Sequence, residues 1–266
     1  MRAALFVNPR SGSSTPSADD LVAAATARGV QAHVLEEGED LAELARASDA
    51  ELLGVAGGDG SIASVAAVAI ERDLPLVCVP FGTRNHFAGD AGLPTDDPLS
   101  ALAAFEDGVE RRVDVGRADG RIFLNNVSLG VYARLVHRRE RRRRRGEVFA
   151  RAQAIAASLR DHSWTHRFRV DGVPVVASVI LVANNEYRLE VPALGERERL
   201  DGGTLALYAA RGLRRLHWTE RTATEIVVEG RTPFLRAALD GEPARFASPL
   251  RLSVEPQALR LLVPRA

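Results

Sequence analysis

Lysine is absent from this chain of 266 residues, so its 35 strongly basic side chains are all arginine. That absence excludes a P-loop lysine, a Schiff-base lysine and the strand lysine of protein kinases. Cysteine is nearly absent. Cys78 lies in an apolar run and reads as a buried strand thiol. With one cysteine no disulfide can form within the chain, which fits a reducing compartment. Net charge is lacking as well, because 35 acidic residues balance the arginines. General attraction to nucleic acid is therefore not implied. The amino terminus reaches a polar loop after a few apolar residues and reads as neither a signal peptide nor a membrane span. A cytoplasmic protein is the expectation.

What the chain does have is a hydrophobic content of 46%, ample for one large domain or two small ones. Over residues 1–112, short apolar runs alternate with helical stretches. Segments 3–7, 31–36, 52–56, 74–80 and 111–116 read as strands. Segments 21–28 (opened by a Ser17/Asp20 capping box and ended by Gly29), 40–47, 62–72 and 98–106 read as helices. Such alternation predicts a parallel, doubly wound α/β sheet. From about residue 113 the pattern changes. Segments 122–128, 168–170, 173–183, 204–209, 225–228, 235–239, 250–254 and 259–263 read as strands, and Asp-Gly and Asn-Asn turns punctuate them. This predicts an antiparallel β-sandwich over 113–266, with the last strands free to return to the first domain. Residues 132–159 read as one long helix. Trp164 and Trp218 read as packing residues. The cleft between the two domains is the expected active site.

Three polar loops end strands of the first domain: Asn8-Pro9-Arg10-Ser11-Gly12, Gly57-Gly58-Asp59-Gly60-Ser61 and Gly82-Thr83-Arg84-Asn85. Glycines let backbone amides approach an anion, and a following helix points its positive end at it. In open α/β sheets ligands bind at these strand ends. A carboxylate inside such a loop, Asp59, would repel bare phosphate, so it suggests a metal-bound phosphate or a proton to be moved. Farther along, Asp240 and Glu242 flank Gly241 beside a strand end. They read either as an ordinary hairpin turn or as a base poised to accept an alcohol's proton.

Those three loops, in their order and spacing, resemble the catalytic domain of the diacylglycerol kinase and sphingosine kinase superfamily, the bacterial soluble type above all. The resemblance continues through Asp114-Val115-Gly116, residues 125–130, Leu200-Asp201-Gly202-Gly203 and Leu239-Asp240-Gly241-Glu242. It implies an NAD-kinase-like α/β domain followed by a β-sandwich, with ATP and Mg²⁺ as cofactors and γ-phosphoryl transfer to a lipid hydroxyl such as that of diacylglycerol. By the same resemblance, residues 8–12, 58–61 and Thr83 match nucleotide-binding positions. Asp240 and Glu242 match the pair associated with the general base, and Asp201 a carboxylate that holds a structural magnesium. With Asp59 added, Asp240 and Glu242 are the expected catalytic groups, and Asp59 and Asp201 the expected metal ligands.

The chain departs from that family at three places. Ser61-Ile62-Ala63-Ser64 stands where Thr-Leu-Asn-Glu is usual. Leu35-Glu36-Glu37 occupies the place of a threonine. Arg84 and His86 replace a glycine and an aspartate, and Arg84 could supply a bidentate contact to phosphate. His86 reads either as an acid–base group or as a solvated loop histidine. Two alternatives stay open: a kinase for a soluble acceptor of NAD or polyol type, and a relative that binds nucleotide or lipid with weakened catalysis. The arginine run from Arg138 to Arg145 reads either as a solvated helix or as a peripheral contact with anionic lipid on the inner membrane face. A homodimer is left open.

Overall fold

The computed structural model describes residues 2–11, 16–83, 85–130, 165–188, 196–210 and 218–265. Gly12, Arg84, Trp164, the stretch read as a long helix and its arginine run lie outside the described residues, as does the side chain of Trp218. The chain divides into two compact units. One comprises Met1–Val115, Arg188–Asp201 and Pro256–Ala266; the other comprises Gly116–Tyr187 and Gly202–Glu255.

The first unit is built on β1 (Ala3–Val7), β2 (Gln31–Val34), β3 (Leu52–Gly57) and β4 (Leu76–Pro80), all parallel in the order β2-β1-β3-β4. The strands β3 and β4 are buried along their whole length. Their continuous apolar runs suit a parallel sheet covered on both faces. Helix α1 (Ala18–Thr26) opens on the expected capping box, in which Asp20 N–H donates to Ser17 Oγ and Ser17 N–H to Asp20 Oδ2. Helix α2 (Leu41–Ala47) opens on Asp40, whose carboxylate accepts from the amides of Ala42 and Glu43. Helix α3 (Asp59–Glu71) joins β3 to β4, and the short α4 (His86–Asp90) follows β4. The helix expected at 98–106 is instead a 3₁₀ turn, Ser100–Ala103, followed by α5 (Ala104–Asp107).

Strands β5 (Gly108–Ala118), β6 (Arg121–Phe123) and β7 (Asn126–Gly130) follow. The single strand expected over 122–128 is broken at Leu124-Asn125. In the second unit β8 (His166–Val170), β9 (Val173–Ala177), β10 (Val179–Asn184) and β11 (Leu205–Ala210) succeed one another. Ser178 divides the run read as one strand. The remaining strands are β12 (Trp218–Ala223), β13 (Glu225–Glu229), β14 (Phe234–Leu239), β15 (Glu242–Ala247) and β16 (Leu250–Pro264). Two strands are additions to the sequence reading, β12 and β15. A third difference is β16, one strand of 15 residues where two were expected.

The second unit is an antiparallel sandwich. One layer has the order β12-β11-β10-β7-β14-β15, and β8, β9, β13 and the start of β16 form the other. Its core draws Val127, Ile180, Leu207 and Phe246 from the first layer and Phe168, Ile226 and Leu252 from the second. The end of β16 belongs to the first unit, where Leu261 and Leu262 pair in parallel with Leu76 and Val77 of β4.

Candidate functional site

The three loops of the first unit sit at the carboxyl ends of β1, β3 and β4, and side chains join them. Asn8 Nδ2 donates to Ser61 Oγ at 2.9 Å, linking the first loop to the second. Asn8 Oδ1 accepts from the Arg10 amide at 3.1 Å, which folds the first loop back on itself. Pro9 and Arg10 are exposed, and Ser11 is half-buried. Asn85 clasps its own loop: Gly82 N–H donates to Asn85 Oδ1 at 2.9 Å, and Asn85 Nδ2 donates to Gly82 O at 3.0 Å.

Two glycines serve the meeting of loops. A Cβ on Gly82 would stand 2.5 Å from Gly58 Cα and 2.9 Å from Gly58 N. A Cβ on Gly57 would stand 2.5 Å from Ser61 Cβ. Both are contacts that real Cβ atoms do not make, so Gly82 lets its loop touch the Gly58 backbone, and Gly57 lets the Ser61 side chain close in within its own loop.

Asp59 is the first residue of α3 rather than part of a free loop, and its carboxylate is engaged. Oδ1 accepts from the Phe87 amide at 3.0 Å and Oδ2 from the His86 amide at 3.3 Å. Asp59 thus caps α4, whose own preceding residue, Asn85, makes no side-chain cap. The amides of α4 thus account for a carboxylate at this place without a metal. No side chain caps α3 itself, since its preceding residue is Gly58. The first-turn amides of a helix so capped are open to an anion, and its dipole favours one there. The open donors suit an anion, and Asn8, Gly58, Gly60, Ser61 and the exposed Thr83 belong to the loops that meet there.

A metal is served less well. Among the described residues no three or more His, Cys, Asp or Glu side chains are grouped to hold one. Asp201 accepts from Arg199 Nε at 3.0 Å, and that bond holds its carboxyl below the usual range. The reading of Asp59 and Asp201 as ligands therefore finds no cage of protein donors around either. Mg²⁺ can be held by one carboxylate with substrate oxygens and water, which is all these residues offer.

In the second unit Asp240-Gly241 is the two-residue turn of the β14–β15 hairpin, with φ of 46° and 82° and Leu239 paired with Glu242. These are the positive angles of a type I′ turn. The Asp240 carboxylate accepts three amides, from Leu124 at 2.7 Å, Asn125 at 2.8 Å and Asn126 at 2.9 Å. Those amides span the break between β6 and β7. Glu242 is exposed. The pair expected to act as one unit is therefore divided in employment: Asp240 holds backbone, and Glu242 faces solvent.

Further residues carry no assigned role in the sequence reading. Arg197 is buried, and its Nε lies 2.6 Å from Asp90 Oδ2 at the end of α4. It sits in the run Glu-Arg-Glu-Arg, whose pattern reads as surface. Asp114 is 1% exposed and accepts the Gln257 amide at 2.8 Å. Asn126 Nδ2 donates to Tyr187 Oη at 3.0 Å, and Tyr187 N–H donates to Tyr208 Oη at 2.8 Å.

The first unit is thus an α/β nucleotide-type sheet with three strand-end loops, and the second an antiparallel sandwich. Residues 2–118 match the diacylglycerol kinase catalytic domain. Over 89 residues the chain is 34% identical to the diacylglycerol kinase of Bacillus subtilis, a stretch that covers 33% of this chain and 29% of that one. Over 92 residues it is 39% identical to a Pseudomonas aeruginosa protein described as "probable lipid kinase YegS-like", covering 34% and 30%. Residues 2–118, less than half of the chain, are thus similar to that domain family, and the stretches matched amount to about a third or less of these relatives' length. The crystal structure of a diacylglycerol kinase from Bacillus anthracis has the same fold, with a TM-score of 0.73 at 19% identity over 98% of this chain and 96% of that one.

Proposed function

We propose that this chain transfers the γ-phosphoryl group of ATP to a lipid hydroxyl, diacylglycerol being the acceptor its relatives' names suggest. The observation that carries the reading is the locking of three strand-end loops through Asn8–Ser61, Gly58–Gly82 and Asp59–Phe87, beside an α3 terminus that no side chain caps. Phosphoryl transfer asks the protein chiefly to position and to neutralise charge, and preformed backbone donors do both. ATP supplies the phosphoryl group, and Mg²⁺ offsets its charge. Asn8, Gly58, Gly60, Ser61 and Thr83 hold the phosphates.

The acceptor hydroxyl must give up a proton, and with lysine absent a carboxylate suits the task. Glu242 takes that role, because its carboxylate is exposed while the oxygens of Asp240 are committed to three amides. Asp240 is then a positioning residue that holds the turn bearing Glu242.

The test is transfer of label from γ-labelled ATP with Mg²⁺, offered diacylglycerol in mixed micelles and, separately, NAD and glycerol. Labelled lipid is expected. Glu242→Gln should cut turnover about a hundredfold with an unchanged melting temperature. Asp240→Asn should lower turnover and melting temperature together. Label on the soluble acceptors alone would reject the lipid, and full turnover by Glu242→Gln would reject the base.

A further inference from the structure

The second unit contains a cavity of about 580 Å³ away from the Asp240 turn. Phe234 lines it together with Arg167, Arg231, Arg236 and Arg245, while Phe168 and Leu235 beside them belong to the sandwich core. No carboxylate lines it, and none of these four arginines makes an ion pair among the described residues. Some exposed arginines elsewhere are paired, Arg46 with Glu71 and Arg221 with Asp171.

Arg236 and Arg245 are directly opposite each other in the β14–β15 register. Like charges so placed destabilise a sheet, and among the described residues no carboxylate pairs with either arginine. The Arg245 guanidinium lies 3.9 Å from the centre of the Phe234 ring, which is itself 49% exposed. A group of arginines without carboxylate partners beside an exposed aromatic is complementary to an anion with an apolar body. The volume adds a decision. It falls in the range of sites for organic ligands, roughly 300–1,000 Å³, and is far larger than inorganic phosphate needs.

We propose that this cavity binds the phosphate headgroup of an anionic phospholipid at a membrane surface. The arginines take the phosphate oxygens, and Phe234 contacts the glycerol and the start of the acyl chains. Within its unit the cavity lies apart from the turn that carries Glu242. Phe234 stands six residues before Asp240 on an extended strand, roughly 20 Å away. The inference does not depend on the chain being a kinase.

The experiment is binding of the full chain, without nucleotide, to phosphatidylcholine vesicles with and without phosphatidylglycerol. Wild type should sediment with the anionic vesicles only, less so as salt rises. Arg236→Gln with Arg245→Gln should weaken this about twenty-fivefold, as each basic residue near an anionic surface is worth about fivefold. Its melting temperature should stay level or rise, because a like-charge pair is removed. Arg46→Gln with Arg221→Gln removes the same charge elsewhere and should change binding little. Phe234→Ser, at an exposed position, should also weaken binding if the double variant folds poorly. Short-chain phosphatidylglycerol should compete, and inorganic phosphate at equal concentration should not. Equal losses in the two double variants, binding untouched by both cavity changes, or equal competition by phosphate would each overturn the proposal. None of these results would bear on phosphoryl transfer.

Discussion

At the scale of single residues, the carboxylates that looked most like chemistry are those the backbone uses most. Asp59 caps α4, Asp114 receives the Gln257 amide and Asp240 receives three amides. Their residue types and spacing were legible in the sequence. The direction of each side chain was not, because it depends on amides 27 to 143 positions away in the chain. Arg197 was illegible for the same reason: its burial is set by Asp90. Tyr208 gives this scale a measurable signature. Burial is the main cause that pushes its phenol up to about 12, against the weaker opposing effect of the Tyr187 amide. The folded chain therefore favours the neutral phenol. That contribution is whole below the pKa of a free phenol, about 10, and is lost as pH rises from there to about 12. Melting temperature should be level from pH 8 to about 10 and then fall, while absorbance shows one tyrosine ionising late. A Tyr208→Phe chain should begin less stable and fall less. Early ionisation of all tyrosines together would contradict this.

At the scale of elements, the strand–loop–helix–strand unit of β3, α3 and β4 was legible because its apolar runs are continuous and its turns rich in glycine. Strands β12 and β15 were not, since Trp-Thr-Glu-Arg-Thr-Ala and Glu-Pro-Ala-Arg-Phe-Ala are too polar to announce themselves. Both are edge strands, where one face meets water. The sandwich also repeats one device three times. Asp119-Gly120, Asp171-Gly172 and Asp240-Gly241 are hairpin turns with positive φ at both residues, and each aspartate accepts amides of a neighbouring segment. Asp-Gly is thus a builder's motif in this fold, and only the company of Glu242 sets the third apart. Glycine chemistry divides in the same way. Gly82→Ala drives a Cβ into the Gly58 backbone and should cost about 1–3 kcal/mol and weaken nucleotide binding tenfold or more. Gly89→Ala, inside α4 with its nearest neighbour at 3.9 Å, should gain about 0.5–1 kcal/mol. Thermal unfolding and titration with a fluorescent ATP analogue read both, and a harmless Gly82→Ala would deny that the two loops depend on contact.

At the scale of the whole molecule, pairing partners are the information that local patterns omit. The run of residues 259–263 announces a strand, yet nothing near it says that Leu261 lies beside Leu76. The first unit also needs Arg197 from the middle of the chain against Asp90. A fragment of residues 1–118, the stretch that matches the family domain, should therefore lack a cooperative thermal transition, because the edge of β4 and the neighbours of Leu259 and Leu261 would be bare. A sharp transition in that fragment, followed by circular dichroism, would refute the dependence. The chain passes between its units after residues 115, 187, 201 and 255. No single cut leaves the first unit whole. For inheritance this is a constraint: one crossover with a related gene exchanges parts of units, never a unit. A clean exchange of the sandwich needs breakpoints at all four passages. The two units are thus bound to descend together, so sequence change on one side of a breakpoint is tested against the other in every generation.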